Sequence, residues 1–275
     1  FNGEIYNFPE LRRELEQTGV RFRSNSDTEV LLKLYEAHGT DCLGRLRGMF
    51  AFAIWDSRKR LLMLARDRVG VKPLFYRLDS ESLVFASELK ALLQDPEVAR
   101  VVDPVAIHHY LTYQYTPGTH CVFQGVSKLP PAHYLLWQDG RTEIHRYWKL
   151  SHAPKHVVRT SGQLRDLEAE LLHRLEEAVR IRLVSDVPVG AFLSGGIDSS
   201  AVVGLMSRLQ DQPVRTFSIG FGEDDYNELP VAKLIAEKFH TRHTEFRVSV
   251  DAVDMVPQLV RSYAEPFAAD SAIPT

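Results

Sequence analysis

Apolar and polar positions change their period along the chain, and each change marks a different kind of element. Residues 9–17, PELRRELEQ, are helix formers and stop before Gly19, a residue that ends helices. Over residues 27–38, Val30, Leu31, Leu34 and Tyr35 recur on one face of a second helix, with Gly39 behind it. The pattern then turns β-rich. Residues 49–55, 60–65, 74–77 and 83–86 are short apolar runs separated by turn residues, which predicts antiparallel hairpins. A short helix is expected over 88–93, an irregular region around Pro117-Gly118 and Pro130-Pro131, and strands near 133–137 and 142–147. This half reads as an α+β domain.

Residues 151–162 are polar, carry Pro154 and show no apolar period, so the interdomain linker is expected there. A helix resumes over 164–183, with Leu167, Leu171, Leu172, Leu175, Ala178 and Val179 as its stripe. Strand 189–193, a glycine loop, helix 199–208, strand 214–221, helix 229–239 and strand 243–248 follow. Such alternation predicts an α/β domain with a parallel sheet and crossover helices. The expected division is residues 1–150, a linker over 151–163, and residues 164–275.

Composition narrows the function. With 275 residues and 44% hydrophobic content, two domains can each bury a core. A net charge of -3, with both signs interspersed, leaves no footprint for nucleic acid or an anionic membrane, so small molecules are the expected partners. Cys42 and Cys121 have no metal-site spacing and are expected to be free, buried thiols of a reducing cytoplasm. The apolar runs 48–55 and 188–193 are too short to span a bilayer. Phe1 is not a methionine and Phe1-Asn-Gly-Glu4 reads as a buried strand entering a loop, while 271–275 stop without a closing helix. The sequence is therefore expected to be a fragment.

The segment Val189-Gly-Ala-Phe-Leu-Ser-Gly-Gly-Ile-Asp-Ser-Ser200 runs from a buried strand through two glycines into a helix. That order favours anion binding: unpaired N–H groups of the first helical turn point at a phosphate, and glycines let the main chain approach it. Ser194, Ser199 and Ser200 add hydroxyl donors. There is no Gly-Lys-Ser/Thr ending and no GxGxxG. The segment resembles the SGGxDS signature of the ATP pyrophosphatase family, which splits ATP between the α and β phosphates. The resemblance implies that Ser194, Gly195, Gly196, Asp198 and Ser199 bind the pyrophosphate end, that Leu193 and Ile219 lie near the adenosine, and that Asp198 holds Mg²⁺. An ordinary strand-to-helix turn is the plainer reading of Ser-Gly-Gly alone.

The opening Phe1-Asn-Gly-Glu-Ile-Tyr-Asn7 resembles a segment of class II glutamine amidotransferases. The likeness extends over Gly48-Met-Phe-Ala-Phe-Ala-Ile-Trp-Asp56, Arg66-Asp-Arg-Val-Gly-Val-Lys-Pro-Leu-Phe-Tyr76 and Phe85-Ala-Ser-Glu-Leu-Lys90, and through the linker to the glycine loop, as in glutamine-dependent asparagine synthetases. It implies an Ntn-hydrolase-like αββα glutaminase domain followed by a nucleotide-binding synthetase domain, both partial. Asn2 and Gly3 would form the oxyanion hole, and Asn2, Gly3, Glu4 and Asp27 would hold glutamine. Asn2-Gly3 also reads as a tight turn, and Asp27 as the start or cap of a helix. Arg66, Asp67, Lys72 and Glu88 read as structural or interdomain groups. The family's nucleophilic N-terminal cysteine lies upstream of Phe1, so these 275 residues alone are expected not to hydrolyse glutamine.

Tyr263-Ala-Glu-Pro-Phe-Ala-Ala-Asp-Ser-Ala-Ile-Pro-Thr275 resembles the family's acceptor segment, where Ser271 and Thr275 could donate to a carboxylate and Asp270 could place metal or substrate. The implied reaction is synthesis of asparagine from aspartate, with glutamine or ammonia as nitrogen donor, through an aspartyl adenylate formed from Mg-ATP. AMP, pyrophosphate and glutamate are the other products. A paralogous amidotransferase or β-lactam-type synthetase acting on another carboxylate, and a non-catalytic nucleotide-binding protein, are the alternatives, and a homodimer is left open.

Overall fold

The computed structural model describes residues 1–80, 82–152, 157–220, 228–247 and 252–268. The described residues divide into two compact units, 1–152 with 255–268, and 157–254.

In the first unit, strands β1 (Asn2–Ile5), β2 (Gly48–Asp56), β3 (Leu61–Arg66), β7 (His133–Gln138) and β8 (Arg141–Arg146) form one antiparallel sheet in that order. A second sheet has the order β5 (Leu83–Ala86), β4 (Phe75–Leu78), β6 (Val126–Lys128). Alternation along β2 decides what each face meets. Phe50, Phe52 and Ile54 pack with Leu11 and Leu15 of α1 (Phe8–Gln17) and with Leu31 and Leu34 of α2 (Asp27–His38). Ala51 turns the other way and joins Leu64, Leu74 and Leu135, against which Tyr76 and Leu83 of the second sheet pack.

The same alternation sends Phe75 to the outer side of the second sheet. There it meets Leu89 and Leu92 of α4 (Leu89–Leu92) and Ile107 of α5 (Pro104–Tyr113), with α3 (Cys42–Arg45) lying earlier in the chain. The succession is helices, sheet, sheet, helices. Helix α5, capped by Asp103 through the Val105 N–H at 2.9 Å, and the three-residue β6 lie where the sequence reads as irregular. Ala264 packs against the outer cluster, and Glu265 accepts from Lys128 Nζ at 2.8 Å and from the Val122 N–H at 3.3 Å. Residues 264–265 thus pack on the first unit.

In the second unit, α6 (Ser161–Arg180) starts three residues earlier than its apolar period, because the Thr160 hydroxyl accepts from the Gln163 N–H at 3.2 Å. Of its stripe, Val179 is buried while Leu171, Leu172 and Leu175 are exposed. β9 (Gly190–Phe192), β10 (Arg215–Gly220) and β11 (Arg242–Arg247) form a parallel sheet with β10 in the centre. α7 (Ile197–Leu209) links β9 to β10, and α8 (Leu229–Lys238) links β10 to β11. Leu205 and Met206 of α7 pack with Val179 of α6, and Val203 packs with Ala232 and Ala236 of α8. A last helix, α9 (Ala252–Tyr263), follows in the chain, and from Met255 onward it belongs to the first unit. Among the described residues no helix is long and apolar enough to cross a membrane.

Candidate functional site

Among the described residues β1 is an outer strand, so one row of its peptide groups meets β2 and the other faces the open edge. Hydrogen bonding decides which row is which. Phe50 stands opposite Gly3, and both of its peptide groups are taken on the far side. Its N–H donates to Asp67 Oδ2 at 3.2 Å and its carbonyl accepts from the Asp67 N–H at 2.8 Å. Met49 and Ala51 therefore serve β1, where they face Glu4 and Asn2, and the Tyr6 N–H continues that row to the Arg47 carbonyl at 2.8 Å. Gly3 and Ile5 are left pointing outward. The Ile5 N–H is held there by Asp27 Oδ2 at 3.0 Å, and Gly3 lies two residues, about 7 Å, along the same edge.

Gly3 has φ 145°, and a Cβ there would stand 2.0 Å from the Met49 carbonyl oxygen. At Gly48 a Cβ would stand 2.2 Å from the Glu4 carbonyl oxygen. The two strands cross too closely at both places for any side chain. Asn2 and Glu4 share the sheet face opposite Ile5, with Glu4 exposed.

Asp27 opens α2 and reaches β1, so its helix-starting role and its place on the site edge coexist. Ser26 Oγ caps the helix by accepting from the Thr28 N–H at 3.1 Å. Glu29 accepts from the N–H groups of Arg23 and Ser24 and from Ser24 Oγ at 2.6 Å; these bonds, led by the Ser24 hydroxyl, hold its carboxyl below the usual glutamate value. Ser24, Ser26, Thr28 and Glu29 line a cavity of about 470 Å³ with Phe1 and Phe52.

Asp67 is fully buried and accepts four N–H groups, from Phe50, Val69, Val71 and Lys72. Arg66 donates to the carbonyls of Gly70, Lys72 and Leu129. Both side chains are spent on bracing the loop 67–72, whereas Glu88 makes an exposed pair with Lys90. Burial pushes the Cys42 and Cys121 thiols up to about 12, which leaves neither a nucleophile near neutral pH.

The second cluster lies at the carboxyl end of β9. The Leu193 N–H extends the pairing to the Phe217 carbonyl at 2.8 Å, and Ser218 Oγ donates to the Leu193 carbonyl. Leu193 itself is core, packed with Val203 and Ala232, while Ile219 lies on β10 opposite Phe246 of β11. At Gly195, φ is 82° and a Cβ would stand 2.9 Å from the Ala232 nitrogen. Gly196 is the N-cap of α7, whose ladder opens with the Ser200 N–H to the Gly196 carbonyl at 3.0 Å. The N–H groups of residues 197–199 precede that ladder. Ser194 Oγ lies 3.0 Å from Ser199 Oγ and accepts from the Gly196 N–H at 3.3 Å; the Ser200 hydroxyl is buried without a partner among the described residues. Asp198 is exposed on the first turn. Asp270, Ser271 and Thr275 lie outside the described residues.

Residues 1–148 match the glutamine amidotransferase domain family. The chain belongs to that family. Beyond this amidotransferase domain, residues 170–275 match the asparagine synthase family. The chain is 38% identical to asparagine synthetase (glutamine-hydrolyzing) 3 of Bacillus subtilis strain 168, over 98% of its own length and 46% of that protein. It is 36% identical to asparagine synthetase (glutamine-hydrolyzing) 1 of the same organism, over 100% of its length and 43% of that protein. Amidase chry2 of Gibberella zeae is 37% identical over 77% of this chain and 31% of that protein. The chain spans about half the length of the curated asparagine synthetases it matches.

Two residues of the amidotransferase edge went unread in the sequence. Gly48 is visible only as a strand glycine until Gly3 is placed against it, and Glu29 looks like the end of an ordinary Ser-x-x-Glu capping box.

Proposed function

We propose that the chain acts in ATP-dependent synthesis of asparagine from aspartate, with glutamine or ammonia as nitrogen donor, releasing AMP, pyrophosphate and glutamate. The observation that carries this reading is the pairing of an open-edged Asn2-Gly3 strand with a glycine-lined helix N-terminus in one chain.

At the first site the outward N–H of Gly3 and the Asn2 amide suit the oxyanion of an attacked amide, and the Asp27 carboxylate suits the α-ammonium of glutamine, with Glu4 beside it. At the second, the N–H groups of residues 197–199 with Ser194, Gly195, Gly196 and Ser199 suit the pyrophosphate, and the ends of β9 and β10, at Leu193 and Ile219, suit the nucleoside. Asp198 is a carboxylate beside a phosphate cradle, which repels phosphate unless a cation bridges the two; the donor set therefore fits Mg²⁺ completed by phosphate and water oxygens. When bound, Mg²⁺ would neutralise charge developing on the leaving pyrophosphate. Ser271 and Thr275 belong to this reading as donors to the acceptor carboxylate. So do the domain bounds 1–150 and 164–275, the Ntn-hydrolase-like αββα arrangement of the first domain, and a cytoplasmic location.

The test is pyrophosphate release by the full-length protein given Mg-ATP and ammonia, with aspartate compared against other carboxylic acids. Release that requires aspartate and yields asparagine is expected. Release with another acid only would move the chain to a paralogous synthetase, and none with any acid would leave a nucleotide-binding protein.

A further inference from the structure

We propose that Glu29 is a positioning residue for glutamine, holding the turn that carries Asp27 to the β1 edge; this rests on the reading of Asp27 as the ammonium partner. Glu29 occupies the helix position from which a carboxylate ordinarily reaches back to the N–H of the capping residue. Here it does not. The Ser26 N–H turns to Ser24 Oγ at 3.3 Å, and Glu29 reaches past it to Arg23 and Ser24. Its two oxygens accept from the Arg23 N–H at 2.9 Å, the Ser24 N–H at 2.7 Å and Ser24 Oγ.

From the other side Arg12 grips the same turn. Its Nη1 donates to the Ser24 carbonyl at 2.6 Å and to Asn25 Oδ1 at 3.2 Å, while its guanidinium lies 4.6 Å from the centre of the Phe22 ring. Helix α2 itself does not need this arrangement, because Ser26 already caps it. What the two grips fix is the path of residues 23–26, which ends on Asp27 and its bond to the Ile5 N–H. Ser24 and Ser26 of this turn line the cavity that Phe1, the neighbour of Asn2, also lines. Without Glu29 the turn can swing, and the Asp27 carboxylate swings with it.

The experiment uses the full-length protein and the variants Glu29→Gln and Ser24→Ala. Glu29→Gln is expected to raise KM for glutamine about ten-fold with kcat within about two-fold, the mark of lost ground-state binding, and to leave ammonia-driven synthesis unchanged. Ser24→Ala, which removes one of the three donors, is expected to raise KM about three-fold. Amide hydrogen exchange at Ile5 reads the same positioning without catalysis and should quicken in Glu29→Gln. Unchanged KM and unchanged Ile5 exchange in both variants would overturn the proposal, as would parallel loss of ammonia-driven synthesis, which marks general unfolding. If the wild-type protein neither hydrolyses glutamine nor makes asparagine, the functional reading fails, and Ile5 exchange still decides whether Glu29 positions Asp27.

Discussion

Phe50 stands directly opposite Gly3, and the buried Asp67 takes both of its peptide groups. That one arrangement turns the Gly3 N–H outward, since a strand residue whose neighbour is bonded away from it has no ladder partner on that side. Asp67 lies 17 positions beyond Phe50 and carries no catalytic role in the proposed reaction. It sets the orientation of the strand that does.

Replacing Asp67 with alanine should leave four N–H groups without their acceptor. The Phe50 bond is buried and the other three are partly buried; a stranded buried donor costs about 1–3 kcal/mol and a partly buried one less, so denaturant titration of the Asp67→Ala protein should show a loss of about 2 kcal/mol or more. Asp67→Asn keeps one acceptor oxygen and should lose less. A loss below about 1 kcal/mol for the alanine variant would mean that water reaches the loop 67–72 and that the carboxylate is not its anchor.

Gly3→Ala puts a methyl group 2.0 Å from the Met49 carbonyl oxygen, so β1 must move away from β2 and carry the edge N–H with it. Loss of one oxyanion donor lowers kcat about 10²–10³-fold, and glutamine hydrolysis by the full-length protein should fall by that much while ammonia-driven synthesis persists. Gly48→Ala forces the same separation from the opposite strand and should act alike. Full glutaminase activity in Gly3→Ala would show that the edge donor is not used.

Much of this was legible in the sequence, for local reasons. The periods of residues 27–38 and 49–55 name a helix and a strand because each buries one face, and Val30, Leu34, Phe50 and Phe52 are indeed core. The glycine loop could be placed because strand, loop and helix are contiguous. What depends on distant partners was not legible: α5 has only a weakly one-sided pattern, with Ala106 its one buried residue among those described, and the packing of Glu265 on the first unit joins it to Val122, 143 positions away. The pairing of Gly3 with Phe50 is of the same kind, since register is a property of two strands.

The Glu29 carboxyl is held below its ordinary value by the Ser24 hydroxyl and the Arg23 N–H, so the folded chain favours the carboxylate. A lowered acid contributes its stability above the unfolded value and loses it as pH falls through the folded one. Glutamine binding should therefore be insensitive to Glu29 from neutral pH down to the ordinary glutamate range and weaken only below it. A carbon-13 titration of the Glu29 carboxyl checks this; a midpoint at or above the ordinary glutamate value of 4.5 would contradict the grip on residues 23 and 24.

Cys42 and Cys121 should resist alkylation in the native protein. Both are essentially fully buried, and with thiols pushed up to about 12 only about one in 10⁴ would be thiolate at pH 8. Mass spectrometry after iodoacetamide should find both unlabelled in buffer and both labelled in denaturant. Rapid native labelling of either would place it in an opening segment.

Gly195 and Gly196 should separate packing from ligand approach. At Gly195, φ is 82° and a Cβ would meet Ala232 and Val231 at 2.9 Å, so Gly195→Ala should lower the melting temperature and abolish pyrophosphate release together. At Gly196, φ is -66° and the nearest atom to a Cβ is Ser194 Oγ at 3.3 Å, so alanine there should leave folding nearly intact. A phosphate seated on the helix N-terminus needs the main chain bare at that point. Gly196→Ala should therefore keep the melting temperature within a few degrees of wild type yet lose most pyrophosphate release. Normal release in that variant would mean that phosphate does not sit against Gly196, and that the loop is a strand-to-helix turn whose glycines serve packing alone.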